Sequence, residues 1–231
     1  MRLCSRRPVR VPMLYPVHCQ KCLQWACDLQ DWTMEQWKKV AWSDELHLFL
    51  HHVDGRVCVR RLPAEEMAPG CSMGRRQTSG GSVILWAMFC GETLGPGIHV
   101  DVTLTRTTYL NTVADQVHVF MAMVFLNGSG PFQHDNALCY TAKFVQEWFE
   151  EHAKEFKVLI WPPISSDLSP IEHLWDVLAK QIRSMEARPR SLQDLKDLLL
   201  TSWCEIPQHT FRGIVESMPR RVRAVFNGCQ H

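Results

Sequence analysis

The chain contains no apolar run of eighteen residues, so no membrane-spanning helix is expected. Its first twelve residues, MRLCSRRPVRVP, have no apolar stretch, which predicts no secretory leader. It has little charge of one sign: the formal net charge is +1, so no global basic excess points to nucleic acid. No internal repeat is present. It also lacks a second cysteine pair to match Cys19-Gln20-Lys21-Cys22. That pair has zinc-knuckle spacing, with His18 and Cys27 nearby, but a structural zinc needs four ligands. The ten cysteines are therefore expected to be thiols rather than a disulfide framework.

What is present is enough apolar material for a substantial core: 231 residues, 46% of them hydrophobic. The basic residues are uneven. Arg2, Arg6, Arg7 and Arg10 crowd the start, and Arg220, Arg221 and Arg223 lie near the end. Each cluster could touch phosphates, and the first could equally be a solvated terminus.

Loose helical spacing of Leu23, Trp25, Ala26, Leu29, Trp32 and Trp37 predicts an amphipathic helix. It should end near Asp31, with a fresh cap at Trp32-Thr33-Met34-Glu35. Val40-Ala41-Trp42 predicts a buried strand ending at Ser43-Asp44-Glu45. Leu46 to Val53, apolar with interspersed His, the Asp54-Gly55 turn and the alternation over 56–61 predict a hairpin of strand, turn and strand. Strands are expected at 82–90 and 98–104, a helix over 107–125, and a short strand reaching Asp135. A helix over 141–152, with Phe144, Val145, Trp148 and Phe149 inward, precedes a strand at 158–160. Helices follow from Ser169 to about Met185, at 192–203 and at 210–217. Antiparallel strands followed by strand–helix alternation predict an α/β fold, a mixed sheet with helices on both faces.

Three acids hold the chemical interest. Asp44 and Asp135 each stand where a strand should end, and Glu172 stands in the first turn of a helix. Hard divalent cations prefer oxygen ligands and take few from the protein. Two such ions about 4 Å apart can activate an attacking oxygen and stabilise a leaving one in phosphoryl transfer. In that arrangement Asp44, on the central strand, would bridge the ions. Each acid also has a plain reading. Asp44 could merely end a strand, and Asp135-Asn136 could form an Asx turn. Ser169-Pro170-Ile171-Glu172 reads as a capping box with Pro at the first helical position. Glu45 is expected to support Asp44 or face solvent. Trp86, Trp148, Trp161, Trp175 and Trp203 read as packing residues, and His173 as structural.

Four phrases carry a resemblance: WSDE at 42–45, QHDNALCYTAKFVQEWFEEH, WPPISSDLSPIEHLWDVL, and LLLTSWCEIPQHTFRGIVESMPRRVRAV. From about Arg7 to Val225 the chain resembles the catalytic region of Tc/mariner-type DDE transposases. The resemblance implies an RNase H-like fold. It also implies Mg²⁺-dependent DNA cleavage and strand transfer, with two ions for which Mn²⁺ can substitute. Asp44, Asp135 and Glu172 then form the catalytic, metal-binding triad. Transposon ends and target DNA are the implied partners, a homodimer the implied assembly and the nucleus the implied location. Arg6, Arg7, Arg10, Arg220 and Arg221 are the candidate DNA contacts. On this reading 1–38 is a basic linker and short helix, 39–186 the catalytic domain, and 187–231 a C-terminal helical extension.

The chain departs from the family pattern near the chemistry. Family members begin with paired helix-turn-helix modules, which nothing before Arg7 can hold, so end recognition is expected to be weakened. Leu138 and Tyr140 replace the usual Pro and His, Ser166 and Ser169 replace Pro and Asn, and His134 replaces Gln. Tyr140 cannot carry protons near neutral pH as a histidine does. Cys19, Cys22, Cys27 and Cys58 stand where relatives tend to carry Arg, as expected of a decaying copy. Two functional readings follow: a transposase core, intact or impaired, or a catalytically inactive remnant that binds DNA or protein. An unrelated RNase H-like nuclease would share the acids but not the WPP…PIEHLW phrase.

Overall fold

The computed structural model describes residues 15–50, 81–100, 105–125, 130–136, 142–155, 157–185 and 189–228. The expected arginine contacts Arg6, Arg7 and Arg10, the far arm of the hairpin, Cys58, Leu138 and Tyr140 lie outside the described residues.

Five strands form one sheet: β1 (Ala41–Phe49), β2 (Ser82–Phe89), β3 (Leu94–Val100), β4 (Pro131–Gln133) and β5 (Lys157–Leu159). Their order is β3-β2-β1-β4-β5, which puts β1 in the centre. β1, β2 and β3 are an antiparallel meander, while β4 and β5 run parallel to β1. Pro96 is tolerated because β3 is an edge strand, where its missing N–H breaks no ladder.

The strand period of two divides the apolar side chains between two cores. On one face Trp42, Leu85, Ala87 and Phe89 pack under α1 (Pro16–Leu29), α2 (Met34–Lys38) and α6 (Pro170–Ser184). The same core receives α7 (Leu192–Cys204), α8 (Gln208–Glu216) and α9 (Met218–Gly228). On the other face Ala41, Trp86, Met88 and Phe132 meet α3 (Arg106–Thr112), α4 (His118–Val124) and α5 (Lys143–Glu151). A π-helical turn, Val113–Val117, joins α3 to α4. Helices therefore cover both faces, as the element order predicts.

Trp42 is wholly buried beneath Trp25, Trp37 and Trp161, with Trp37 stacked at 6.2 Å and 14°. Burying one large apolar side chain contributes roughly 1.5–3 kcal/mol, so this cluster is a main anchor of the central strand. Thr33 caps α2 through a capping box completed by Gln36. At the other end of the sheet, a Cβ on Gly97 would come within 3.0 Å of the Trp203 ring. The absence of a side chain there lets the Trp203 ring approach β3 closely and donate its indole N–H to the Gly95 carbonyl at 3.0 Å.

Candidate active site

β1 does not end at Asp44. It runs five residues further, to Phe49, because β2 pairs with it along its length, Asp44 opposite Ala87. What ends near Asp44 is the other neighbour: β4 pairs with β1 only at Ala41–Phe132 and Trp42–Gln133. Extending that register by two residues brings Asp135 level with Asp44, across strands spaced about 4.8 Å apart. The site lies where β1 outruns β4.

Side-chain alternation then sets the facing. Asp44 shares the face of Trp42, under α6, and Asp135 follows Gln133 onto that face. α6 supplies the third acid. Glu172 is in its first turn, and Trp175, one turn later, donates its indole N–H to Asp44 Oδ2 at 3.3 Å. The capping box at the start of α6 does not form: Ser169 makes no side-chain cap bond. The neighbouring Asn136 is committed elsewhere, its side-chain N–H donating to the Trp161 carbonyl at 2.8 Å.

Asp44, Asp135 and Glu172 line one cavity of about 360 Å³. Its other walls are Ser43, Gln133, Asn136, the 161–166 segment and Ser169. Among the described residues none of the lining side chains is Lys, Arg or His. Electrostatics follow from that. Burial, aided by the charges of Glu172 and Asp135, raises the Asp44 carboxyl to about 7, against the lowering effect of hydrogen bonds from the Glu45 backbone and Trp175. Glu172 is raised by burial, by Asp176 and by Asp135. All three acids thus sense one another. Among the described residues no three His, Cys, Asp or Glu side chains are drawn to a single coordination point.

Glu45 is not exposed. It faces the opposite side of the sheet, opposite Trp86, with Oε1 buried and unpartnered. Burial, then Asp44 and Asp135, raise it to about 8. His134 also points away from the cavity, stacked on Phe149 at 5.6 Å and 7° and on Phe132 at 5.6 Å. Its Nδ1–H donates to the Asp135 carbonyl at 2.9 Å, and burial holds the ring down at about 4. His134 therefore steadies the backbone of an acid from behind as a neutral imidazole.

Sequence reasoning missed three contributors. Trp175 reads as packing, yet its N–H orients Asp44; three-residue spacing from Glu172 is the available signal. Gln133 is 1% exposed, lines the cavity and has an unpartnered Oε1. Ile164, on the rim, has φ 55°, a left-handed conformation strained for a β-branched residue. Of the expected DNA contacts, Arg220 is exposed, whereas Arg221 is half-buried and bonded to carbonyls beside the site. Cys19, Cys22 and Cys27 all lie on α1 as free thiols.

Comparison with known proteins matches residues 132–196 to the DDE superfamily endonuclease family. The chain is 30% identical to the Tc1 transposase of Caenorhabditis elegans over 96% of its own length and 80% of that protein's. It is 30% identical, with the same coverage, to the Tcb1 transposase of Caenorhabditis briggsae. The chain belongs to the Tc1/mariner family of DDE transposases. Its fold agrees with this family. The catalytic domain of Mos1 mariner transposase superposes with a TM-score of 0.73 at 14% identity, covering 96% of this chain and 98% of that one. A Mos1 paired-end complex with Mn superposes at 0.77 and 16% identity, covering 99% and 68%. The sheet is thus the RNase H-like sheet of a DDE transposase core, with Asp44 on its central strand.

Proposed function

We propose that this chain is a divalent-metal-dependent DNA cleavage and strand-transfer core acting on transposon ends and target DNA. Asp44, Asp135 and Glu172 are the residues that would hold the two ions. The observation that carries this reading is the shared cavity. Three carboxylates, from β1, the end of β4 and α6, line it, and the charge of Asp135 raises the proton affinity of both Asp44 and Glu172. Oxygen-only donors suit Mg²⁺ or Mn²⁺. Such ions supply an activated oxygen nucleophile and charge neutralisation at the leaving oxygen. The Mos1 complex with Mn and the Mos1 catalytic domain structures with Mn and with Mg support the same choice of metal.

The protein's own part is positioning. Trp175 fixes one oxygen of Asp44. Asn136 ties the end of β4 to Trp161, so Asp135 and the 161–166 wall move together. Pro162 and Pro163 stiffen that wall. Asp44 must give up its proton when a cation binds, so binding strengthens as pH rises through about 7. Exposed Arg220 offers a phosphate contact, two copies pair to hold two DNA ends, and the work takes place in the nucleus.

The test is incubation of purified protein with Mg²⁺ or Mn²⁺ and a pre-nicked DNA end. Metal-dependent strand joining that disappears in Asp135→Ala supports the proposal. A wild-type protein that binds DNA but never cuts it makes this chain a binding remnant.

A further inference from the structure

The catalytic helix α6 begins without a local lock. Ser169 makes no side-chain cap bond, and Pro170 at the first helical position contributes no N–H. The turn that leads into α6 is instead held by a residue 49 positions beyond Glu172. Arg221, on α9, donates through Nη1 to the carbonyls of Asp167 at 3.0 Å and Ser169 at 3.3 Å. Those carbonyls belong to the 3₁₀ turn Ser166–Leu168 and to the N-cap of α6. The guanidinium is itself braced, with Nε donating to Ser217 Oγ at 2.8 Å. Ser217 in turn donates to the Ile214 carbonyl at 2.6 Å. A connected set of bonds therefore runs from the α8–α9 junction to the backbone three residues before Glu172.

The opposite end of the same segment is held from α1. Ser165 donates to the Pro163 carbonyl and lies 3.1 Å from Cys22 Sγ. The segment has two sides. Ser166, Ser169 and Glu172 face the acidic cavity, while Asp167 and His173 face a second cavity with Arg220 and Arg221. Arg221 thus grips the wall of the active site from behind, where its charge does not enter the carboxylate cavity.

The structure assigns Arg221 as a positioning residue for Glu172: its clasp on the Asp167 and Ser169 carbonyls fixes where α6 starts and hence where its acid points. This role rests on the proposed metal-dependent chemistry. It differs from the phosphate contact that the charge of Arg221 suggests, since its Nη1 and Nε groups are committed to protein carbonyls and a hydroxyl. A planar fork with several fixed donors suits such a clasp better than an ammonium does.

Arg221→Met, which keeps the stem and removes the donors, and Arg221→Lys provide the test on the full chain. Three measurements are compared with wild type: amide hydrogen exchange across 164–175, Mn²⁺ affinity without DNA, and turnover and KM on a pre-nicked DNA end over a salt series. For Arg221→Met, exchange should quicken within 164–175 while other core helices stay protected. Mn²⁺ affinity should fall about tenfold and turnover 10- to 100-fold, the scale of a roughly 1 Å misplacement. KM for DNA and its salt slope should not change, and Arg221→Lys should recover part of the loss. Unchanged exchange and Mn²⁺ affinity would overturn the assignment. So would a raised KM with a salt slope lowered by about one and turnover intact, the signature of a phosphate contact. Wild-type protein that neither binds Mn²⁺ nor cuts would overturn the parent reading, and the assignment would then stand or fall on the exchange measurement alone.

Discussion

Replacing Asp44 with an asparagine should make the metal-free protein more stable while abolishing its chemistry. The folded protein raises this carboxyl from its ordinary 3.8 to about 7, chiefly by burial. Each pH unit of that rise corresponds to 1.36 kcal/mol, giving a total of about 4 kcal/mol. The sign follows from proton counting. Below about pH 4 both folded and unfolded chains carry the proton, and there is no penalty. Between about pH 4 and 7 the unfolded chain has released it and the folded chain retains it, so stability falls as pH rises, then levels off. The amide that replaces the carboxyl has no proton to lose, and its oxygen can still accept from Trp175. At about pH 8 in chelator, Asp44→Asn should melt higher than wild type by up to roughly 8–16 °C, using 2–4 °C per kcal/mol for a chain of this size. Part of that gain comes through Glu45, which the Asp44 charge also raises, so the two contributions are not additive. Near pH 4 the difference should vanish. Adding Mg²⁺ should stabilise wild type and leave Asp44→Asn unmoved. The assay is thermal denaturation across pH with and without metal. A variant no more stable than wild type at high pH in chelator would refute the claim that this carboxylate is held against its preference.

Trp175→Phe removes a donor that favours ionised Asp44, so its proton affinity should rise by up to about one pH unit for a bond this long. The pH–rate profile for DNA cleavage should shift to higher pH, and an unmoved profile would exclude the role. Ile164→Asn places a residue tolerant of the left-handed region at φ 55° and should add roughly 1 kcal/mol, or about 2–4 °C; a lower melting temperature would show that the rim is not strained. His134 is held down at about 4, so wild type should lose stability as pH falls from 6.5 toward 4, while the unfolded chain takes up a proton and the folded chain does not. His134→Phe should flatten that acid limb, and denaturation curves that remain parallel would argue against it.

The legible parts of this chain are those with local signatures. The helices around Val145, Leu178 and Leu199 follow apolar spacing, and the 82–90 strand is nearly unbroken apolar sequence. The acids are legible from the phrases around them. What escapes a sequence reading is set by partners distant in the chain. The strand before Asp44 and the expected arm from Leu46 are one continuous β1 because β2 pairs with both, a partner that local reading cannot see. The Ser169-Pro170-Ile171-Glu172 pattern satisfies the rule for a capping box, yet no cap bond forms, and Arg221 takes the neighbouring carbonyls instead. α9 is hidden because Arg220, Arg221 and Arg223 read first as charge. Met218 and Val222, both buried, nonetheless mark a helical stripe at i, i+4.

Those distant partners share a cause that bears on how the site works. A cavity lined by three acids is unfavourable in the metal-free fold, and one member alone costs about 4 kcal/mol at neutral pH. Total stability of a domain is commonly only about 5–15 kcal/mol, so that cost must be offset nearby. The buried indoles surround the site for this reason: Trp42 and Trp161 on one side, Trp175 against Trp203 on the other. The same aromatic packing that desolvates Asp44 also supplies the apolar burial that keeps the central strand in place. Removing the tryptophans to relieve the acids would therefore dissolve the strand that carries them. Under the proposed chemistry a cation would be the compensation that preserves both, linking metal affinity to the packing of the core as closely as to the carboxylates.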